Sequence, residues 1–351
     1  MSEMQTLLEE MVERLLADHV DAALVDAAEA GNWPETLWHT VEAQGVTRPL
    51  VPEEAGGLGA GWHDAFFIVR AAGRHGAPLP LPETIAASWL LAKAGLAVPS
   101  SPLALAEAAP EDRLELHKSG GEWRLTGTLR RVPWGRVAES LVVVVEQGGR
   151  DLIVRAPLHG CAVAKGANLA GEYRDTVLFE NHPVEASAWG GCAWKDVMPA
   201  LGTMLRCAQM AGALSNAVAL SVAYANDRQQ FGRPLGKFQT IQQNLAVLAS
   251  EAAAADVAAE AAFIAADQGD AGLMAAAAKV RACMAASQAI GIAHQVHGAI
   301  GFTREYALQR STRRLMAWRT EFGGEHRWAS ALGRHVVAIG AEGFWPTVTA
   351  H

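Results

Sequence analysis

The chain of 351 residues has little tyrosine, little cysteine and a deficit of positive charge. It contains three Tyr against 11 Trp and nine Phe, and its 29 Lys and Arg against 37 Asp and Glu give a net charge of −8. Nucleic-acid binding depends on Lys and Arg side chains that displace phosphate counterions, so the acidic balance without a basic cluster argues against it. Half of the residues are hydrophobic, which excludes a disordered chain.

The few cysteines are scattered, and none forms a Cys-x-x-Cys pair. We interpret Cys161, Cys192, Cys207 and Cys283 as buried, reduced thiols rather than as a disulfide framework. No apolar run approaches the length of a bilayer span, and the acidic N-terminus lacks the pattern of a signal peptide. The sequence therefore predicts a cytoplasmic protein with no membrane partner.

Several common catalytic motifs are also missing. None of the 12 histidines follows a Glu by three residues, so the chain lacks the Glu-x-x-His pairs of a di-metal carboxylate site. It also lacks a P-loop, a Gly-x-Gly-x-x-Gly dinucleotide fingerprint and a Gly-x-Ser-x-Gly nucleophile elbow. These absences predict a protein without a metal centre, a Rossmann site or a serine nucleophile.

Hydrophobic periodicity predicts three domains, over residues 1–99, 100–190 and 191–351. Helical spacing occurs over residues 5–29, 62–74, 82–95, 195–226, 237–267, 271–297 and 325–340. Short β-type segments occupy the middle, with tight turns predicted at Ser119-Gly120-Gly121 and Gln147-Gly148-Gly149. The predicted fold class is α+β and mainly α, with an N-terminal helical domain, a small central β domain and a C-terminal four-helix bundle.

Two segments carry the strongest functional signals. The first, from Tyr224, reads YANDRQQFGRPLGKFQTIQ and puts Arg228 in a loop between helices, where a guanidinium suits bidentate contact with phosphate. Phe231 in this loop can lie against an aromatic ring. The second reads QVHGAIGFTRE, in which Gln295 offers an amide and Gly298 permits close approach of a ligand to the backbone.

Taken together and in this order, the two segments resemble the flavin-contacting signatures of the acyl-CoA dehydrogenase family. The PEEAGGLG loop at residues 52–59 is similar to a loop of that family's N-terminal domain, and the α–β–α order matches over essentially the whole chain. The resemblance implies FAD at a subunit interface of a tetramer and α,β-desaturation of an acyl-CoA thioester. A carboxylate would remove the α-proton while the β-hydrogen leaves as hydride, and an electron-transfer flavoprotein is a possible partner.

Residue by residue, the resemblance implies roles for five cofactor-binding positions. Arg228 would bind the FAD pyrophosphate, and Phe231 would contact the cofactor of a neighbouring subunit. Gln239 would lie near the adenosine half, and Gln295 with Gly298 would line the phosphate path. Taken singly, Arg228 is better explained as a charge at a helix C-terminus, and Gln239 as an ordinary exposed amide, whereas their ordered spacing together favours the cofactor role.

The chain departs from the family at the catalytic base. Arg206 matches an arginine near the family's active site, but the family's Tyr-Glu-Gly triplet corresponds here to Phe322-Gly323-Gly324. Gly323 therefore stands where the base is expected. Some members carry the base one position before the active-site arginine, and that position is Leu205.

Contacts on the flavin ring side are also lost. The family's loop near residue 107 is shortened, and Pro133 offers neither the hydroxyl nor the N–H that would approach the flavin. The family's Thr and Gln after the catalytic triplet are replaced by Glu325 and Arg327.

Three hypotheses remain open. In the first, the chain completes the FAD site of a heterotetramer with a second acyl-CoA dehydrogenase-type subunit, which supplies the base that acts on the acyl-CoA. In the second, it is a self-sufficient, homo-oligomeric dehydrogenase with Glu321 or Glu325 as a displaced base. In the third, it is an oligomerisation scaffold without flavin. Retention of Arg228, Phe231 and Gln295 favours the first over the third, while both glutamates are more simply explained as helix-start or surface carboxylates.

Overall fold

A computed structural model of the protein describes residues 3–109, 111–188 and 194–349, which are mainly helical and contain a seven-stranded sheet and a two-stranded hairpin. The helices are α1 Glu3–His19, α2 Ala22–Glu29, α3 Glu35–Ala43, α4 Trp62–His75, α5 Leu81–Lys93, α6 Trp194–Asp227, α7 Gln239–Asp267, α8 Gly272–His297, α9 Leu308–Trp318 and α10 Glu325–Thr349. The strands are β1 Leu103–Leu105, β2 Arg113–Ser119, β3 Glu122–Pro133, β4 Ser140–Gln147, β5 Arg150–Pro157, β6 Ala162–Ala164, β7 Arg174–Ala188, β8 Gln229–Gln230 and β9 Arg233–Pro234. The predicted fold class is confirmed.

The chain divides into two compact units. The helical unit comprises Met1–Ala22, Phe66–Ala77 and Thr203–His351, and the sheet unit comprises Ala23–Ala65 and Pro78–Gly202. The division into three domains stays a prediction.

The sheet unit is built on seven strands in the order β1-β4-β5-β7-β3-β2, with β6 added to β7. β1 pairs with β4 in parallel, and the other pairs are antiparallel. Both predicted tight turns are confirmed, since Ser119 pairs with Glu122 and Gln147 with Arg150. The sequence did not predict β1 and β6, because three residues are too few to show an alternating pattern.

A cluster of four aromatic residues packs within the sheet unit. Trp33 lies 6.2 Å from Trp38 and 6.5 Å from Trp134, whose ring is 5.3 Å from that of Tyr173, measured between ring centroids. The Tyr173 hydroxyl donates to the Ala28 carbonyl at 2.9 Å. The tryptophans of this cluster therefore serve packing, which gives one structural reason for the high tryptophan count.

Alanine-rich faces hold the helical unit together. α7 packs against α8 along its length, and the buried positions of both helices are mostly alanines spaced by three and four residues. Such small side chains let two helix backbones come close together, as their composition predicts. α8 also contacts α9 and α10, and so forms the centre of this group of helices.

Three helix predictions need correction. The single helix over residues 5–29 is two helices, with a break before Ala22 where Asp21 is a poor residue for a helix interior. α9 was not predicted, because its polar buried residues obscure the apolar pattern. α10 continues beyond residue 340, although Gly340 has non-helical angles that kink it.

Two further sequence inferences concern the thiols and the membrane. Cys207 and Cys283 are free and buried as predicted, but Cys161 is free and only half-buried, because it follows the exposed turn at Gly160. Cys192 lies outside the described residues. In the part of the chain that the structure describes, no helix is both long enough and apolar enough to cross a bilayer.

Candidate functional site

The segment Trp318–Glu325 joins α9 to α10 and contains the position where the base was expected. Lys279 of α8 donates from Nζ to the carbonyls of Trp318 at 2.6 Å and Glu321 at 2.9 Å. The Phe322 carbonyl accepts from Thr203 Oγ1 at 2.8 Å and from Trp328 Nε1 at 3.0 Å. Because side chains of α6, α8 and α10 all bond to this segment, its backbone is fixed.

Gly323 is enclosed by its own neighbours. Its φ is +90°, and a Cβ built on it would lie 2.7 Å from Arg327 Cδ and 2.8 Å from Trp328 Nε1. An L-amino-acid side chain would therefore be strained and would clash here. The alternative position, Leu205, is 1% exposed within the apolar core. Neither position can present a carboxylate.

Glu321 forms an ion pair with Arg206. Its carboxylate accepts from Arg206 Nε at 2.7 Å, and its side chain is 15% exposed. Arg206 is itself 1% exposed, donates to the Gln209 amide oxygen, and lies with Cζ 5.4 Å from the centroid of the Phe322 ring. The predicted active-site arginine and one candidate base thus meet, but as a structural pair that holds the segment.

Glu325 is the more accessible of the two glutamates. Its side chain is 44% exposed in the first turn of α10, and its nearest cation is the Arg319 guanidinium at 4.0 Å. A carboxylate at this place stabilises the N-terminus of a helix. It therefore has a structural role that needs no catalysis.

Lys279 and two thiols form a buried group that the sequence analysis missed. Burial lowers the pKa of Lys279 and raises that of Cys207 to about 12 and that of Cys283 above its usual range. Thiols with such pKa values are poor nucleophiles. A lysine inside an alanine-rich helix was the one signal that could have indicated this buried cation.

The loop after α6 presents Arg228 and Phe231 to the outside. The Arg228 N–H donates to the Tyr224 carbonyl at 2.9 Å, and the Arg228 carbonyl accepts from Leu235 N at 2.9 Å, so both ends of the β8–β9 hairpin are anchored. Phe231 stands at its tip with φ +52° and 89% of its surface exposed. Its ring lies 6.1 Å from that of Phe238, measured between centroids, and its outer side is accessible to another surface.

The end of α8 carries the second predicted segment. Gln295 is exposed, and Gly298 ends the helix with φ +63° and ψ −144°, a combination that glycine alone adopts readily. The Gly298 N–H donates to the His294 carbonyl. Nothing lies within 4 Å of a Cβ built on Gly298, so its outer side is open to a ligand.

Three of the predicted polar cofactor ligands have free hydrogen-bonding groups. The side chains of Arg228, Gln239 and Gln295 are exposed and make no hydrogen bond or ion pair within residues 3–109, 111–188 and 194–349. A guanidinium and two amides are suitable donors for the phosphates and ribose of a dinucleotide. These residues therefore fit the FAD that the sequence predicts, while the Gly323 segment does not fit a catalytic base.

In the sheet unit, Pro133 is buried at the end of β3, where it pairs with Arg174. Arg131, two residues before Pro133, has a φ of +57° and lies next to a bulge. Its guanidinium forms an ion pair with Glu111 at 2.7 Å. The connection before β2 is short, since Ala109 N donates to the Asp112 carboxylate at 3.0 Å. Pro110 lies outside the described residues.

Sequence models of known families match both helical parts of the chain. The acyl-CoA dehydrogenase N-terminal domain matches residues 2–97, and the C-terminal domain of the same family matches residues 200–336. The chain belongs to the acyl-CoA dehydrogenase family. Acyl-CoA dehydrogenases are oxidoreductases whose usual cofactor is FAD.

Similar acyl-CoA dehydrogenases cover nearly the full length of the chain. The chain is 29% identical to acyl-CoA dehydrogenase IpdE2 of Mycobacterium tuberculosis over 312 residues, which is 87% of this chain and 88% of that protein. It is 26% identical to a chain of the Tcur3481–Tcur3483 steroid acyl-CoA dehydrogenase G363A variant, with a TM-score of 0.86 and coverage of 95% and 97%. The ChsE4–ChsE5 complex of M. tuberculosis has the same fold, with a TM-score of 0.89, 22% identity and coverage of 97% and 99%.

Proposed function

We propose that this chain is a supporting subunit of an acyl-CoA dehydrogenase, which completes the FAD site of a heterotetramer and leaves the catalytic base to a second subunit. The observation that carries the proposal is the enclosure of Gly323, where the Cβ of any other residue would lie within 2.8 Å of Arg327 and Trp328. A missing base alone could be a single substitution. Here the positive φ of Gly323 and the nearby Arg327 and Trp328 side chains also disfavour a side chain at this position.

The retained half of the cofactor site supports the same role. Arg228 would bind the pyrophosphate of FAD, Gln239 its adenosine half, and Gln295 with the Gly298 backbone its phosphate path. FAD, once bound, supplies the acceptor for the β-hydride of the acyl-CoA thioester. This chain's residues would bind and orient the dinucleotide, and Phe231 would cover it together with the neighbouring subunit.

The nature of the partner follows from what this chain lacks. Removal of a thioester α-proton requires a general base in a site that excludes water, so in this proposal the second subunit carries the carboxylate that the family resemblance implies. Relatives named as a two-component steroid enzyme and as a ChsE4–ChsE5 complex favour a heteromer. The substrate class we propose is therefore a bulky or steroid-type acyl-CoA, with an electron-transfer flavoprotein as electron acceptor.

Arg228→Ala tests the cofactor role in the complex with the partner subunit. Because Arg228 is the only cation among the five proposed FAD ligands, the variant should lose most of its bound flavin. Bound FAD is measured by absorbance at 450 nm after gel filtration. Arg150→Ala, which removes an exposed arginine from the β4–β5 hairpin of the sheet unit, is the matched control and should keep its flavin. Equal flavin content in both variants would overturn the proposed role of Arg228.

A further inference from the structure

A cluster of three aromatic residues joins the end of α6 to the end of α8. The rings of Tyr224 and His297 stack with centroids 4.6 Å apart and planes 28° apart. Tyr306 contacts both, with its ring centroid 5.0 Å from that of His297 and 6.1 Å from that of Tyr224. Tyr306 also packs against the small apolar cluster formed by Ala217, Ala293 and Leu308.

Two directed hydrogen bonds fix the orientation of the His297 ring. His297 Nδ1 lies 2.8 Å from the Ala293 carbonyl, which can only accept, so Nδ1 carries the proton. Nε2 lies 3.2 Å from the Tyr306 hydroxyl and is hydrogen-bonded to it. His297 is 3% exposed, and burial lowers its pKa, while hydrogen bonds to the Ala293 and Leu220 backbones act in the opposite direction.

The cluster connects the two segments that carry the proposed phosphate ligands. Tyr224 lies one helical turn before Arg228, and its carbonyl accepts from the Arg228 N–H at 2.9 Å. His297 directly precedes Gly298, whose positive φ starts the turn after α8. A shift of either ring would therefore be transmitted to a proposed ligand within one turn of helix.

We propose that Tyr224, His297 and Tyr306 are positioning residues, which hold the Arg228 loop and the Gly298 turn in one fixed arrangement that preorganises the chain for a dinucleotide pyrophosphate. The inference rests on the proposed function. Apolar packing alone would bring the two helix ends together, whereas a stacked ring with both nitrogens bonded also fixes their rotation. Preorganisation of this kind raises affinity because less freedom is lost on binding.

Tyr306→Phe and His297→Phe test the inference in the complex with the partner subunit. Tyr306→Phe removes only the donor to His297, and His297→Phe removes both hydrogen bonds but keeps an aromatic ring. We expect the Kd for FAD, measured by quenching of flavin fluorescence, to rise several-fold for Tyr306→Phe and about tenfold for His297→Phe. The turnover of the FAD-saturated complex should stay unchanged, since the proposal gives these three residues a positioning role and no contact with the substrate or the flavin.

Tyr173→Phe is the matched control. It also removes one buried tyrosine hydroxyl, which donates to the Ala28 carbonyl at 2.9 Å, but in the unit without the phosphate segments. It should lower thermal stability without changing the Kd for FAD. Amide hydrogen exchange without FAD gives a second readout, in which His297→Phe should accelerate exchange both at residues 228–235 and at residues 298–302.

The possible outcomes separate the inference from the proposed function. If FAD affinity and amide exchange in Tyr306→Phe and His297→Phe match the wild type while Arg228→Ala loses flavin, the positioning role is overturned and the proposed function stands. If Arg228→Ala keeps its flavin, the proposed FAD-binding role of this chain is overturned, and the positioning role of Tyr224, His297 and Tyr306 is overturned with it. If His297→Phe does not fold, the Kd for FAD and the amide exchange of Tyr306→Phe provide the test, because this variant removes a single oxygen atom.

Discussion

At the scale of one residue, Gly323 stands where the sequence comparison with the family led us to expect a catalytic base. Its φ of +90° would strain any L-amino-acid side chain, and a Cβ at this position would force Arg327 and Trp328 to move. Glu321, two residues earlier, is held by Arg206 at 2.7 Å and so stabilises the same segment. The arginine that we predicted to lie near an active site thus has a carboxylate partner in this chain.

Substitution by alanine distinguishes Gly323 from its neighbour Gly324. Gly323→Ala forces a side chain into a left-handed conformation and against two neighbours, so we expect a loss of about 1–3 kcal/mol in the free energy of unfolding. Gly324→Ala should change it little, because its φ is not positive and its nearest contact would be the Arg319 carbonyl at 3.8 Å. Urea unfolding measures both. Equal stability of the two variants would contradict the enclosed position, and with it the expectation that Gly323→Glu cannot restore a base.

α8 is the element on which the candidate site depends most. Lys279 in its middle fixes the Gly323 segment, and its last turn carries Gln295, His297 and Gly298. His294 in the same turn stacks on Phe302, with 4.0 Å between ring centroids. α8 therefore anchors the segment around Gly323 and also carries the proposed phosphate-binding residues Gln295 and Gly298.

The two buried histidines of α8 make stability depend on pH. Burial lowers the native pKa of His294 and His297 below the ordinary 6.5, so below that pH the unfolded chain binds more protons than the native chain. Their contribution to stability should be complete above about pH 6.5 and decrease as the pH falls through that value. Urea unfolding between pH 8 and pH 5 measures this decrease.

His294→Phe should make the decrease shallower, because one of the two proton-binding sites of the unfolded chain is removed. His117→Phe, which replaces an exposed histidine of β2, serves as the control and should retain the wild-type dependence on pH. A wild-type slope in His294→Phe would show that burial of this histidine does not govern acid sensitivity.

Local patterns predicted some of these elements and could not predict others. α6, α7 and α8 are long and strongly periodic, and the Gly-Gly turns of the β2–β3 and β4–β5 hairpins have unambiguous chemistry, so all of these follow from the sequence. The Arg206–Glu321 pair joins residues 115 positions apart, and Lys279 reaches a carbonyl 39 positions away. Such contacts depend on how helices pack, which periodicity does not determine.

At the scale of the whole molecule, the chain keeps residues suited to the phosphates and adenosine of FAD but has no side chain where the base was expected. Arg228, Gln239 and Gln295 remain exposed with free polar groups, and Phe231 projects from its hairpin with 89% of its surface exposed. The position of the base is closed by packing. A single chain with this combination is suited to complete a site whose chemistry belongs to another subunit.

The most direct test of this account compares flavin content and acyl-CoA oxidation of the chain alone with those of the chain co-purified with its partner subunit. The account predicts little FAD and no acyl-CoA-dependent dye reduction for the chain alone. The complex should be yellow and active, and its activity should disappear when the partner's catalytic carboxylate is changed to an amide. An FAD-saturated homotetramer of this chain that oxidises acyl-CoA, and loses that activity on Glu325→Gln or Glu321→Gln, would contradict it.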